Sequence, residues 1–247
     1  ALLTDRTDYR IYKHGEEVTS RALEAFDVAT YSSSNNTVYI SDNRITVYYE
    51  EAYPNAAAPS RIKAKGINGS REDGYLEVLP CALDTLAKCR VGQTITLLLT
   101  DNNRVAGVST SASARGNALG FVDSSGKLTL FNGLEASAGQ EDLTRYAGQL
   151  VTVSSNKSGV SVSRMSSQSV HGDFYVANKR VGDAPLAGDV QIYETGSNGQ
   201  LRPIAYDDLP EGVIEREQIS AAHKNYAGKV DVLVISNVSG TGLAYGR

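Results

Sequence analysis

The recurrence of one short segment constrains the fold of this chain more than any other feature. A glycine, an apolar strand and a polar turn follow one another in "RVGQTITLLLTDNNRVAGVS" from Arg90, in "YAGQLVTVSSNKSGVSVSR" from Tyr146 and in "NYAGKVDVLVISNVSG" from Asn225. Alternating apolar residues predict a strand with a buried face, and Asn, Asp and Ser after it are typical of hairpin turns. We therefore expect three similar hairpins, each introduced by a glycine that favours a positive φ.

The three glycines are Gly92, Gly148 and Gly228. Each following strand should direct alternate side chains into a core, because successive side chains of a strand point to opposite faces. The predicted core residues are Ile95 and Leu97, Leu150 or Val151 with Val153, and Val230, Val232 and Val234. A short helical segment before each glycine should cap the end of its sheet. The predicted helical stretches are residues 83–88, 141–146 and 217–223.

These patterns predict a mostly β fold of tandem small antiparallel β-sheets or open barrels with short capping helices. Internal repetition within 247 residues favours two modules over one large core. The polar stretch at residues 109–117 is the predicted linker, which gives an N-terminal β module of residues 1–112 and a C-terminal β module of residues 113–247. A weaker seam is predicted at residues 163–172.

Composition argues against two classes of partner. The net charge is −4 and the basic residues are scattered singly, so no basic surface is expected for a nucleic acid. The apolar runs are shorter than the roughly 18 residues that cross a bilayer, so no membrane insertion is expected. The chain begins at Ala1 without the pattern of a signal peptide, which indicates a fragment or a processed protein.

The sequence holds no motif typical of catalysis or of a resident cofactor, since G-x-S-x-G, P-loop and G-x-G-x-x-G patterns are absent. Adjacent carboxylates such as Glu50 and Glu51 point to opposite faces of a strand, so they predict solvated edges and not a glycosidase pair. The histidines, His14, His171 and His223, have no ligand at metal spacing. "HGEE" at His14 is a partial metal motif, but a turn histidine is the favoured interpretation. We predict no catalytic residue, no cofactor and no metal.

Two further features leave alternatives open. Residues 42–43 and 101–103 carry oxygen atoms suited to calcium, but the spaced acidic loop of a calcium site is missing, and Asp-Asn pairs are typical of turns. Cys81 and Cys89 would lie about 12 Å apart on one helix, too far for a disulfide, although a bend would bring them together. The favoured interpretations are a turn and a pair of buried free thiols.

Tyrosine is the clearest bias in composition, with 14 tyrosines against 4 phenylalanines and no tryptophan. A tyrosine buries its ring while its hydroxyl stays in water, which suits both thin sheets and recognition surfaces. Tyr48, Tyr49 and Tyr53 form the candidate recognition surface. Padding of a β-sheet is the alternative and favoured interpretation of these three residues.

The segment "FDVATYSSSNNTVYISDNRITVYYEEAYPNAAAPS", followed by "RVGQTITLLLTDNNRVAGV", resembles the β-rich repeats beside S-layer homology (SLH) domains in surface proteins of gut-type Firmicutes. "NYAGKVDVLVISNVSGTGLAYGR" resembles the ending of the same repeat. The resemblance implies an exported protein at the bacterial cell surface, anchored to the wall by SLH modules. This sequence contains no such module, so the anchor is expected outside it. The resemblance supplies no catalytic residue.

The sequence therefore favours a non-catalytic structural or spacer module of an S-layer-associated surface protein, with other surface-protein modules as partners. The alternative is an adhesin-like recognition module that binds a host glycan, mucin or another surface protein. An enzyme such as a wall-modifying hydrolase is the least favoured class, because no catalytic constellation can be named.

Overall fold

The structure, a computed structural model, describes residues 8–69, 71–236 and 238. The protein is mostly β, with 46% strand and 10% helical residues, which confirms the mostly β class predicted from the sequence, while the tandem arrangement of modules stays a prediction. Its sheets are largely antiparallel and do not close into barrels. Within the described ranges, no helix is both long enough and apolar enough to cross a bilayer.

The N-terminal sheet is small and has a thin core. Its strands are β1 (Arg10–Lys13), β2 (Glu16–Val18), β3 (Val28–Ser32) and β4 (Thr37–Ser41). They lie in the order β2, β1, β4, β3, with β1 parallel to β4 and the other pairs antiparallel. Ile11, Val38 and Ile40 are the buried apolar side chains of this core.

The large sheet follows in the chain. Its strands are β5 (Arg44–Tyr53), β6 (Arg61–Ala64), β7 (Ile67–Asn68), β8 (Leu76–Glu77), β9 (Thr94–Leu99), β10 (Val105–Ser109), β11 (Ala118–Val122), β12 (Leu128–Leu130), β13 (Glu135–Ala136), β14 (Gln149–Asn156) and β15 (Gly159–Arg164). The order is β10, β9, β5, β6, β7, β13, β12, β11, β14, β15, and β8 pairs with β6.

The C-terminal sheet has its own core. Its strands are β16 (Phe174–Tyr175), β17 (Arg180–Val181), β18 (Ala184–Thr195), β19 (Leu201–Pro203), β20 (Val213–Ile214), β21 (Ile219–Lys224) and β22 (Val230–Ser236). The order is β20, β16, β17, β18, β22, β21, and β19 pairs with β18. The long strand β18 runs parallel to β22, and Phe174 and Val230 are fully buried in the core beneath them.

Helical structure is confined to short segments. The α-helix α1 spans Leu83–Leu86, and the 3-10 turns are Ser20–Ala22, Pro80–Ala82, Ala112–Ala114, Leu143–Tyr146, Tyr206–Asp208 and Arg216–Gln218. The predicted helical stretches at 83–88 and 141–146 each contain one of these segments. The stretch predicted at 217–223 is wrong for most of its length, because residues 219–223 belong to β21.

The boundary predicted at residue 112 falls inside one core. The main hydrophobic core extends from Ile45 to Val160, and β7 pairs with β13 across the predicted boundary. The predicted linker itself is packed, since Ala114 is buried and the Gly116 amide donates to the Thr46 hydroxyl at 3.1 Å. A division into modules 1–112 and 113–247 therefore does not describe this fold. The weaker seam at residues 163–172 follows Val160, the last buried residue of the main core, but it contains Val170, which belongs to the C-terminal core.

The glycine-led strands have the local structure that the sequence predicts. Gly92, Gly148 and Gly228 have φ values of +95°, +70° and +76°, a region that glycine enters without steric cost. All of the predicted core residues on β9, β14 and β22 are buried. Each of these strands also lies between two others, so its apolar side chains are covered.

The third unit differs from the first two. Helical turns precede Gly92 and Gly148, whereas Gly228 lies in the tight turn between β21 and β22, where its amide donates to the Asn225 carbonyl at 2.9 Å. The predicted turn at residues 236–237 lies partly outside the described residues. The likeness of all three units is therefore limited to the glycine and its strand.

Candidate functional site

The predicted tyrosine surface contains one buried ring. Tyr49 is 0% exposed and belongs to the main core, because alternate residues of β5 face inward from Ile45 onward. The register with β6 shifts between Tyr49 and Glu51, so the chain after this bulge presents different side chains to solvent. Tyr48 is half-buried and Tyr53 is 48% exposed. The assignment of Tyr49 to a recognition surface is therefore wrong.

Tyr53 lies in a group that we name the tyrosine–arginine cluster, formed by Tyr53, Arg61 and Tyr75, of which Tyr53 is exposed and the other two are half-buried. The Arg61 guanidinium lies 3.8 Å from the ring centroid of Tyr53 and 5.2 Å from that of Tyr75. The Tyr75 hydroxyl donates to Glu51 at 2.6 Å, a hydrogen bond that raises the pKa of Tyr75. Arg61 also pairs with Asp73 at 3.4 Å, so the cluster offers a ligand stacking contacts from its two rings.

A second candidate site begins at the hairpin between β1 and β2. His14 and Gly15 form its two-residue loop, with φ values of +52° and +76°. Two positive φ values are typical of the type I′ turn, whose twist matches that of paired strands. The turn places the His14 imidazole beside Asp42, on the connection from β4 to β5, with Nε2 2.9 Å from Oδ2.

Asp189 reaches the same place from the C-terminal sheet. The pairing of β18 with β22 shifts register between Leu186 and Gln191, and Asp189 lies within that bulge. Such bulges re-aim side chains and occur often beside functional sites. A Cβ atom built on Gly188 would lie 2.8 Å from the Cβ of His14, so a glycine is needed at 188 for this approach. His14 and Asp42 are half-buried, and Asp189 is exposed.

The three side chains form the histidine–aspartate cluster: His14, Asp42 and Asp189. One ligand atom from each lies within 4.8 Å of the other two. The hydrogen bond that the His14 imidazole donates to Asp42 raises the pKa of His14, against an opposing effect of burial. Burial acts to raise the pKa of Asp42, but His14 outweighs it and that pKa is lowered. The pKa of Asp189 is raised, mainly because neighbouring groups keep water from its carboxylate; the charge of His14 opposes this rise, and the charges of Asp42 and Asp231 add to it.

The basic side chains around this cluster have other partners. Lys13 pairs with Asp27 at 2.9 Å, and Arg44 stacks on the Tyr226 ring at 3.6 Å. No lysine or arginine in the described ranges forms an ion pair with Asp189 within 4.0 Å. An imidazole and two carboxylates, close together and short of positive charge, are a donor set for a divalent metal ion.

Sequence reasoning missed this cluster. The sequence predicts a turn histidine at His14, and the backbone of His14 does lie in a turn. The two acidic neighbours of His14 come from distant segments, so the local sequence does not indicate them. The glutamates after His14 in "HGEE" are not the residues that approach it. The type I′ turn is a local feature that helps to fix the direction of the His14 side chain. No feature of the sequence near His14 indicates Asp189.

Asn43 and Asn103, which belong to the stretches considered for calcium, are part of an asparagine cluster formed by Asn43, Asn103 and Asn132. Asn43 donates to the Asn103 side-chain oxygen at 2.7 Å, and Asn103 donates to the Asn132 carbonyl at 2.8 Å. Asn132 donates back to the Asn43 side-chain oxygen at 3.3 Å. The amide groups of Asn43 and Asn103 therefore join separate turns to each other.

The cysteines are free thiols, as favoured from the sequence. Cys89 is buried, and its thiol lies 3.5 Å from the Thr85 carbonyl oxygen. Burial raises the pKa of Cys89, which disfavours the reactive thiolate. Cys81 is exposed, contrary to the expectation of two buried thiols.

Comparison with known proteins adds no relative to these observations. No protein-family model, no curated protein and no solved structure matches the chain.

Proposed function

We propose that this chain is a non-catalytic structural module of a bacterial cell-surface protein, a spacer associated with the S-layer. The observation that carries the proposal is a third hydrophobic cluster, which joins the large sheet to the C-terminal sheet. Phe121 and Phe131, from the large-sheet region, stack on Tyr193 of β18 with centroid distances of 5.7 and 6.3 Å. Aromatic packing of this kind resists relative motion of the two parts, as a spacer requires.

The acidic groove lined by residues 68–69, 71–74 and 133–135 supports a non-catalytic role. This groove has a volume of about 650 Å³ and holds carboxylates from two separate segments. Asp73 lies 3.2 Å from Arg71, and Glu135 lies 2.8 Å from Lys127. Carboxylates paired with basic groups in this way are poorly suited to act together across a glycosidic bond.

Surface accessibility tests the location of the module. Protease added to intact cells of the producing bacterium should remove the epitope recognised by an antibody raised against this chain, while a cytoplasmic marker survives. An epitope that is cut only after lysis contradicts the surface assignment. Thermal unfolding of the isolated chain should give one transition by both near- and far-UV circular dichroism, because the cores are joined. Two separated transitions contradict a rigid spacer.

A recognition module is the second candidate, and the tyrosine–arginine cluster favours it. The expected ligand is a glycan, since the rings of Tyr53 and Tyr75 can stack on sugar faces, while Arg61 is already paired with Asp73 at 3.4 Å. On a glycan array, Tyr53→Ala should lower binding about tenfold or more. Tyr39→Ala, which removes another exposed ring, is the matched control and should leave binding unchanged. A blank array for the unaltered chain favours the spacer.

A further inference from the structure

The N-terminal sheet has little apolar burial to hold it in place. Its core has the three buried apolar side chains Ile11, Val38 and Ile40. Small units with thin cores commonly need an additional constraint, such as a disulfide or a metal ion. Both cysteines lie outside this sheet and are free, so a disulfide does not supply that constraint.

Two ion pairs connect the N-terminal segment to the C-terminal sheet. Glu16 lies 3.4 Å from Lys179, and Glu24 lies 4.0 Å from Lys229. Exposed ion pairs of this type contribute little to stability because water screens them. The histidine–aspartate cluster lies at the same junction, with two members from the N-terminal segment and Asp189 from β18.

We infer that His14, Asp42 and Asp189 bind a divalent metal ion, with Zn²⁺ as the best fit, and that the ion braces the N-terminal sheet against β18. This inference goes beyond the proposed spacer function, which does not require a metal.

The donor atoms suit zinc in kind and number. Zinc accepts imidazole nitrogen and carboxylate oxygen at about 2.0–2.2 Å, and three protein ligands leave a fourth position for water. Tetrahedral ligands at that distance are about 3.3 Å apart. His14 Nε2 and Asp42 Oδ2 are already 2.9 Å apart, and no pair in the cluster exceeds 4.8 Å. Asp189 is exposed, so rotation of its side chain can close the remaining gap without disturbing a core.

Charge also favours a cation at this place. Asp42 and Asp189 repel each other, and Asp231 adds a third carboxylate nearby, although it is hydrogen-bonded to His223 at 2.6 Å. Lys13, the adjacent basic residue, is held by Asp27. A bound divalent ion would neutralise the two ligand carboxylates. Calcium fits less well, because it prefers six to eight oxygen ligands and seldom an imidazole.

The test is zinc titration of the full chain after removal of metal with a chelator. Isothermal titration calorimetry at pH 7.5 should give one zinc per chain at this site, and saturating zinc should raise the melting temperature. Asp189→Asn keeps the shape of the side chain and removes its charge. Without metal, this variant should melt at or above the melting temperature of the metal-free parent. Its zinc affinity should fall by more than about 100-fold, because loss of a residue that only supports a ligand already costs about 10–100-fold.

Two further variants make the outcome decisive. Asp183→Asn removes another exposed carboxylate near the start of β18, so its zinc affinity should equal that of the parent. His14→Gln should lower zinc affinity as Asp189→Asn does. Equal zinc stabilisation of the parent and Asp189→Asn would place the ion elsewhere, for example at His223 and Asp231, and would overturn the inference. Absence of zinc binding to the parent, or a stronger response to calcium than to zinc, would also overturn it.

Discussion

Replacing Tyr49 with phenylalanine should stabilise this protein. The Tyr49 side chain is 0% exposed, and its hydroxyl has no hydrogen-bond partner among the described residues. An unpartnered buried hydroxyl costs about 1–3 kcal/mol, because it gives up its bonds to water without replacement. The gap left by one oxygen atom is smaller than a methyl group and costs less than about 1 kcal/mol. The expected net gain in the free energy of unfolding is about 1–2 kcal/mol.

Urea unfolding measures this change, with an unchanged slope and a higher midpoint expected for Tyr49→Phe. Tyr146→Phe is the matched control, because Tyr146 packs on the same core but its hydroxyl donates to the Val162 carbonyl at 3.1 Å. The control should lose about 1 kcal/mol. A loss of stability in Tyr49→Phe equal to that of the control would show that the Tyr49 hydroxyl has a partner, and the reasoning would fail.

The same residue predicts a dependence on alkaline pH. Burial raises the pKa of Tyr49 from 10.0 to about 12, with a smaller contribution from Cys89. The unfolded chain therefore loses this proton first, so ionisation favours unfolding. Stability from this group is present below pH 10 and declines as the pH rises from 10 to about 12. Tyr49→Phe should show a smaller decline in urea midpoint over that range, and an identical decline would contradict the assignment.

Three other substitutions test the packing. Val232→Asp should cost about 3–5 kcal/mol through an unpaired buried charge, and it should lower the melting temperature of the whole chain in one transition, because Val232 packs with Leu150 of the large sheet; an unchanged melting temperature contradicts this. Asn103→Ala should cost about 2–3 kcal/mol in urea unfolding, since two hydrogen bonds of the asparagine cluster are lost, and a neutral effect would show that the cluster is dispensable. Gly182→Ala should lower the melting temperature much more than Gly212→Ala. Both glycines have positive φ, but only a Cβ at position 182 would lie 1.8 Å from the His171 carbonyl oxygen.

Local properties of the chain were readable from the sequence. The glycine before each of the three strands has positive φ because that conformation follows from the absence of a Cβ, which is a property of the residue itself. The burial of Ile95, Leu97 and Val153 follows from alternation along a strand, and again needs no knowledge of the partner. The mostly β class follows from the same patterns. The S-layer assignment rests on resemblance and stays a proposal.

The pairing of strands was decided by the tertiary structure. A strand can pair with any exposed edge of compatible register, so alternation alone does not say that β7 meets β13 across the predicted boundary at 112. Tyr49 illustrates a related limit, because the sequence indicates a strand but does not say which face the core will cover. Gly228 has the predicted φ, yet it lies in a hairpin turn and not after a helical turn, since β21 formed where helix was expected.

The histidine–aspartate cluster depends on tertiary structure most of all. A type I′ turn is local, so the sequence determines that the chain reverses at His14 and Gly15. The approach of Asp189 requires the N-terminal sheet to lie against β18, a bulge in β18 to re-aim the carboxylate, and Gly188 to admit the imidazole. None of these three conditions is a property of the residues near His14. Side chains that are remote in sequence become a donor set only when long-range packing brings their segments together, and that packing is decided by the free energy of the whole fold.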